Sequence, residues 1–143
     1  MKQHFYLMIA QFNPSLGDLE SNFRKIMEFH SRAVTNKVDL LAFPEMSLTG
    51  YQVQDLILKP AFILEVNEII RRLASACSSG VPTLIGAPVC ENGKIYNAYV
   101  LINNGSHSIV SRKHHLPNTN VFDEKRVFES GPISGPFEIS GVK

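Results

Sequence analysis

Two residues of this sequence stand where a strand ends and chemistry could begin. Glu45 closes the run Asp39-Leu40-Leu41-Ala42-Phe43-Pro44-Glu45. A carboxylate at the carboxyl end of an inner strand lies where α/β folds place their ligand crevices, and partial burial there moves it towards general-base duty. The competing reading is a solvated loop glutamate. Pro44 and Ser47-Leu48-Thr49-Gly50-Tyr51 suggest a stiff, shaped loop, which tips the balance towards function. Lys113 also follows a strand and leads into His114-His115-Leu116-Pro117-Asn118. An ammonium there could face negative charge developing on a carbonyl oxygen. It could equally belong to a basic surface group with Arg112, His114 and His115, and the residues alone favour that second reading.

The two cysteines, Cys77 and Cys90, are the obvious nucleophiles, and neither is well placed. Cys77 falls on the apolar stripe of a helix, where a free cysteine behaves as a small hydrophobe. Cys90 adjoins Glu91 in a tight turn, with no base or positive neighbour to lower its thiol pKa. His114 and His115 make a poor metal pair, because neighbours on a strand point to opposite faces. The cysteines form no CxxC, so no metal site is expected. Neither GxGxxG nor GxxxxGK[ST] is present, so no phosphate-cradling loop is expected.

These residues need a scaffold, and the patterning supplies one. Residues 5–12 read as a buried strand stopped by Asn13-Pro14. Gly17-Asp18 opens a helix with Asp18 as its cap; Phe23, Ile26, Met27, His30, Ala33 and Val34 form its apolar stripe. Residues 38–43 read as a second strand. A second helix spans residues 61–78, burying Phe62, Val66, Ile69, Ile70, Leu73, Ala74 and Cys77, and Ser79-Gly80 ends it. Strands follow at 82–89, 94–103 and 106–112, joined by turns at Glu91-Asn92-Gly93 and Asn104-Gly105. Residues 113–135 read as irregular, and 136–143 as the start of a strand or hairpin. The order β-α-β-α-β-β-β predicts a mixed α/β sheet with helices on one face, so the other face must find a partner. An open edge at residues 136–143 predicts a chain cut within a domain.

Composition sets the outer limits. The chain has 143 residues, 44% hydrophobic and 19% charged, with a formal net charge of +1. That near-neutral balance argues against nucleic-acid binding, which needs a concentrated basic face. No apolar stretch approaches the roughly 18 residues of a membrane span. Met1-Lys2-Gln3-His4 runs into mixed sequence without a secretory apolar region. The expectation is a cytoplasmic protein that binds neither nucleic acid nor membrane.

The segment Phe43-Pro44-Glu45-Met46-Ser47-Leu48-Thr49-Gly50-Tyr51 resembles the FPE-x-x-x-TGY signature of the nitrilase, or carbon–nitrogen hydrolase, superfamily. Supporting pieces are Ala10-Gln11-Phe12-Asn13-Pro14 with Gly17-Asp18 and Asn22, then Gly86-Ala87-Pro88 and Tyr96-Asn97-Ala98. Lys113-His114-His115-Leu116-Pro117-Asn118 with Val121-Phe122-Asp123-Glu124-Lys125-Arg126 and Phe128 resembles the segment that carries the family's lysine. The form is most similar to the N-terminal glutaminase domain of glutamine-dependent NAD synthetases, and the resemblance covers essentially the whole chain.

The resemblance implies a nitrilase-type α-β-β-α sandwich of which residues 1–143 are the N-terminal portion. It implies a Glu-Lys-Cys triad in which a thiolate attacks the side-chain amide of glutamine. Glu45 would be the base, Lys113 the oxyanion donor, Glu124 an additional carboxylate and Tyr51 part of the substrate pocket. No cofactor is implied for this domain. ATP and Mg belong to the synthetase domain, which would be the glutaminase's partner and is missing here along with the nucleophilic cysteine. A homo-oligomer is implied, and the fragment alone is expected to be inactive. Thr119 stands where those glutaminases usually carry Tyr, and Val127 replaces a common aromatic. Two alternatives stay open: a stand-alone amidase for a small ω-amide or carbamoyl compound, and a non-catalytic remnant of the fold.

Overall fold

A computed structural model describes residues 4–143; residues 1–3, part of the N-terminal stretch considered for a leader, lie outside the described residues. Five strands and two long helices appear in the order β1 (Leu7–Ile9), α1 (Leu19–Thr35), β2 (Leu40–Ala42), α2 (Pro60–Ala76), β3 (Thr83–Glu91), β4 (Lys94–Asn103) and β5 (Ser106–Arg112). Short 3-10 turns occupy Gln54–Leu58 and Glu124–Arg126. The sheet order is β1-β2-β3-β4-β5. β1, β2 and β3 run parallel, and β3, β4 and β5 form an antiparallel meander.

Local chemistry sets these boundaries. Asp18 accepts from the Ser21 N–H at 3.0 Å and so caps α1, using one of the donors that a helix start leaves unpaired. Pro60 opens α2, where its missing N–H costs nothing. Asn92-Gly93 and Asn104-Gly105 all have positive φ, which two-residue hairpin turns of the matching twist require. Glu91 is paired with Lys94 in the ladder, so the first turn is Asn92-Gly93 alone.

Both helices cover one face of the sheet. Ile26, Val66, Ile70 and Leu73 are buried there against Leu41, Ile85, Val100 and Ile102. The alternation of the strands sends Leu7, Ile9, Leu84, Tyr99 and Ser111 to the opposite face, which carries no α-helix among the described residues. The sequence expectation for residues 5–12 is corrected here. The strand is only Leu7–Ile9, and Leu7 and Ile9 are 49% and 71% exposed. The apolar run is real, but β1 is an edge strand with two of its three side chains on the helix-free face. Val34 is also exposed, at the margin of the α1 stripe. At the end of the chain, Ile139 and Val142 form a single antiparallel bridge about Ser140-Gly141, a one-rung hairpin.

Candidate active site

The loop after β2 is built to hold Glu45 still. Met46 adopts a left-handed backbone (φ 53°) yet is fully buried, a conformation that costs a non-glycine residue and persists only where neighbours enforce it. The neighbours are on β3. Leu48 donates to the Gly86 carbonyl at 3.0 Å, and the Gly86 N–H donates to Ser47 Oγ at 3.1 Å. A Cβ on Gly86 would lie 2.3 Å from the Met46 nitrogen and 2.6 Å from the Pro44 carbonyl, so only glycine lets the loop seat this closely. From the other side, Asn22 of α1 donates to the carbonyls of Ser15 (2.8 Å) and Leu48 (3.0 Å). Gly17 donates to the Thr49 carbonyl at 2.8 Å.

Lys113 reaches the same place by a different device. The register between β4 and β5 shifts between Tyr99, opposite Ser111, and Val100, opposite Ile109. Val110 is therefore an extra residue, a β-bulge, and a one-residue slip turns every following side chain to the other face. Ile109 packs towards the helices, whereas Lys113 emerges on the helix-free face. There its N–H donates to the Asn97 carbonyl at 2.8 Å.

Four residues singled out from the sequence come together here. Lys113 Nζ donates to Glu45 Oε1 at 2.7 Å and to Glu124 Oε1 at 2.8 Å. The Tyr51 hydroxyl donates to Glu124 Oε1, and the ammonium lies 5.8 Å from the centre of the Tyr51 ring. The Tyr51 ring in turn meets Phe122 edge-on at 6.1 Å. Lys113 is thus a half-buried bridge between two carboxylates, not a surface cation. His114 and His115 lie past the strand with their rings in contact at 4.7 Å, so strand alternation does not govern them. Thr119 is exposed and lines neither cleft described below.

The electrostatics follow from one cation between two anions. Burial pulls the Lys113 ammonium towards neutrality, but its hydrogen bonds to Glu124 and Glu45, and their charge, hold its pKa above the ordinary lysine value. Burial pushes the Tyr51 phenol well above its usual range, and the Glu124 hydrogen bond and charge push it further. Tyr51 therefore remains a donor. Glu124 is 5% exposed, and its Oε2 has no partner among the described residues. A buried oxygen of this kind calls for a donor.

A cleft of about 320 Å³ opens beside Glu45 and Lys113, bounded by Gly86, Asn97, Tyr99 and Ser111. A second, of about 420 Å³, lies beyond Tyr51 and Glu124 and is walled by Ile57, Phe122 and Phe128. Neither cysteine borders the clefts. Cys77 is buried, and burial pushes its thiol up to about 11. Cys90 is exposed on β3, about 13 Å along the strand from Gly86 at ~3.3 Å per residue. Among the described residues, no three His, Cys, Asp or Glu side chains are grouped to hold a metal ion. Nor, among the described residues, is any helix long and apolar enough to cross a membrane.

Residues 8–143 match the carbon-nitrogen hydrolase family. The chain belongs to that family. It is 39% identical over 142 residues to a glutamine-dependent NAD(+) synthetase of Rhodobacter capsulatus, covering 99% of this chain and 26% of the relative. Against the glutamine-dependent NAD(+) synthetase of Thermotoga maritima it is 39% identical over 136 residues, 94% of this chain and 23% of the relative. The crystal structure of such a synthetase from Cytophaga hutchinsonii superposes with a TM-score of 0.83 at 29% identity, covering 90% of this chain and 22% of that one. An amidase from Nesterenkonia sp. shares the fold, with a TM-score of 0.75 at 19% identity over 93% of this chain and 50% of that one. The chain spans about a quarter of the length of the curated relatives it matches. The nitrilase-type α/β fold expected from the sequence is therefore the fold observed.

Sequence reasoning overlooked three contributors: the Val110 bulge, the Ser47–Gly86 clasp and the contact of Asn97 with Glu45. Tyr96-Asn97-Ala98 was visible as a motif, but a contact spanning 52 residues has no local signal. A bulge leaves none either, because Ile109-Val110 is apolar in either register.

Proposed function

We propose that this chain is the N-terminal part of a glutaminase domain and contributes Glu45 and Lys113 to hydrolysis of the side-chain amide of glutamine. The observation that carries the reading is the single ammonium, Lys113 Nζ, bridging Glu45 and Glu124 beside a cleft. A carboxylate base and a cation are the two groups that thiol-mediated amide cleavage needs besides the thiol. Glutamine as substrate is supported by the synthetases named above, whose identity to this chain spans nearly its full length.

In this reading Glu45 accepts the proton of a cysteine thiol contributed from outside residues 1–143, and the sulfur bonds to the amide carbon. Lys113 faces the oxygen as it becomes negative. Glu45 then returns the proton to the departing nitrogen, releasing ammonia and leaving a thioester. Glu45 next takes a proton from water, whose oxygen attacks the thioester carbon, and gives it back to the sulfur as glutamate leaves. Tyr51 and Phe122 wall the substrate side, and Glu124 holds Lys113. The ammonia passes to a partner synthetase domain that uses ATP and Mg to convert deamido-NAD to NAD, within a homo-oligomer. Residues 1–143 alone are inactive.

The test is ammonia release from glutamine by the full-length protein. Glu45→Gln and Lys113→Met are each expected to lower kcat/KM by about three orders of magnitude or more. A wild-type protein that leaves glutamine intact but cleaves another small amide would replace this reading with the stand-alone amidase. Full activity in Glu45→Gln would remove the base assignment.

A further inference from the structure

Glu45 is held by more than Lys113. We propose that Asn97 is a positioning residue that decides which oxygen of Glu45 takes the proton; the inference rests on the general-base reading above. Asn97 is 4% exposed in the middle of β4, and its Nδ2 donates to Glu45 Oε1. The amide has one orientation available, because turning its own oxygen towards a carboxylate would be repulsive. Lys113 Nζ donates to the same Oε1 at 2.7 Å. Two donors therefore load one oxygen, and no hydrogen bond engages Oε2 among the described residues. A carboxylate oxygen carrying two hydrogen bonds has less electron density to offer a proton than its free twin. Oε2 is thus the working base, aimed by the two bonds that pin Oε1.

The backbone makes the same residue hold the other partner. The Asn97 carbonyl accepts from the Lys113 N–H at 2.8 Å, so one position on β4 grips Glu45 with its side chain and Lys113 with its main chain. Two residues further on, the Tyr99 hydroxyl donates to the Phe43 carbonyl at 2.9 Å. β4 therefore acts as a jig that sets the base loop and the end of β5 at a fixed separation. A leucine at position 97 fills the space without donating, and an aspartate keeps the shape but repels Glu45.

The experiment uses steady-state glutamine hydrolysis by the full-length protein across pH, with thermal melting to check folding. Asn97→Leu is expected to lower kcat about 10- to 100-fold, the usual loss for one hydrogen bond to a charged group. KM for glutamine should stay within about threefold, since Asn97 shows only 4% of its surface to the cleft and Tyr51 and Phe122 wall the substrate side. The acid limb of kcat/KM should move to higher pH, because a carboxylate that loses a donor holds its proton more tightly. Asn97→Asp should lose more activity and move the limb further. Wild-type kcat and an unmoved acid limb in Asn97→Leu, with Glu45→Gln inactive in parallel, would overturn the inference and leave the base assignment intact. Activity retained in Glu45→Gln would instead strike the underlying reading. Loss of folded protein in both Asn97 variants would also overturn it, since the residue would then serve stability and not the base.

Discussion

Arg112 and Lys113 are neighbours in the chain and each is paired with carboxylate, yet they face opposite sides of the sheet. Arg112 forks onto Glu91 with bonds of 2.5 and 2.7 Å and lies 5.9 Å from the Tyr96 ring centre. Both Glu91 oxygens are engaged, and the guanidinium holds the Glu91 carboxyl below its ordinary value. Lys113 shares one ammonium between Glu45 and Glu124, loads a single oxygen of each, and leaves Glu124 Oε2 unpartnered among the described residues. The first arrangement is saturated and fixes a sheet margin. The second retains free acceptor capacity beside a cleft, and that is the condition under which ions can exchange protons.

Inserting one alanine between Arg112 and Lys113 breaks the contrast most severely. By strand alternation the ammonium then turns to the Arg112 side, so glutamine hydrolysis by the full-length protein should fall about as far as in Lys113→Met, roughly three orders of magnitude. Retained activity would mean that the face on which Lys113 emerges is irrelevant. Gly86→Ala comes next. Its methyl collides with the backbone of the Glu45 loop, and melting should report a loss of about 1–3 kcal/mol together with reduced kcat. Arg112→Ala sharpens the contrast from the other side: kcat should stay within about threefold while stability drops by about 1 kcal/mol, as for a partly exposed pair. The smallest effect is at alkaline pH. Folding raises the Lys113 pKa, so its contribution to stability is complete below the unfolded value of about 10.5 and fades as pH rises through the higher folded value. Denaturant titrations above that pH should show this decline in the wild type and not in Lys113→Arg, because arginine stays charged.

The scaffold was legible where one local force dominated. Helical periodicity placed α1 and α2, and the Asn-Gly pairs placed both hairpins, because positive φ admits few other residues. Glu45 was legible from its place after an apolar strand. Lys113 was ambiguous for a physical reason: a strand's period of two assigns faces only if the register is unbroken, and Val110 breaks it. The exposure of Leu7 and Ile9 was hidden because apolar content reports a wish for burial, not the rank of a strand within the sheet. Asn97 was hidden because its partner lies on another strand, and its value is a property of the fold.

Met46 bears two opposed demands, and its position in evolution follows from them. Its backbone, left-handed beneath Glu45, would be relieved by glycine by about 1–2 kcal/mol. Its side chain, fully enclosed, would leave a void costing about 2–5 kcal/mol. A chain drifting through sequence space gains nothing by easing the first demand while it must still answer the second. The site beside Glu45 is in this sense a locked step, tolerant only of residues that are both bulky and willing to bend the wrong way.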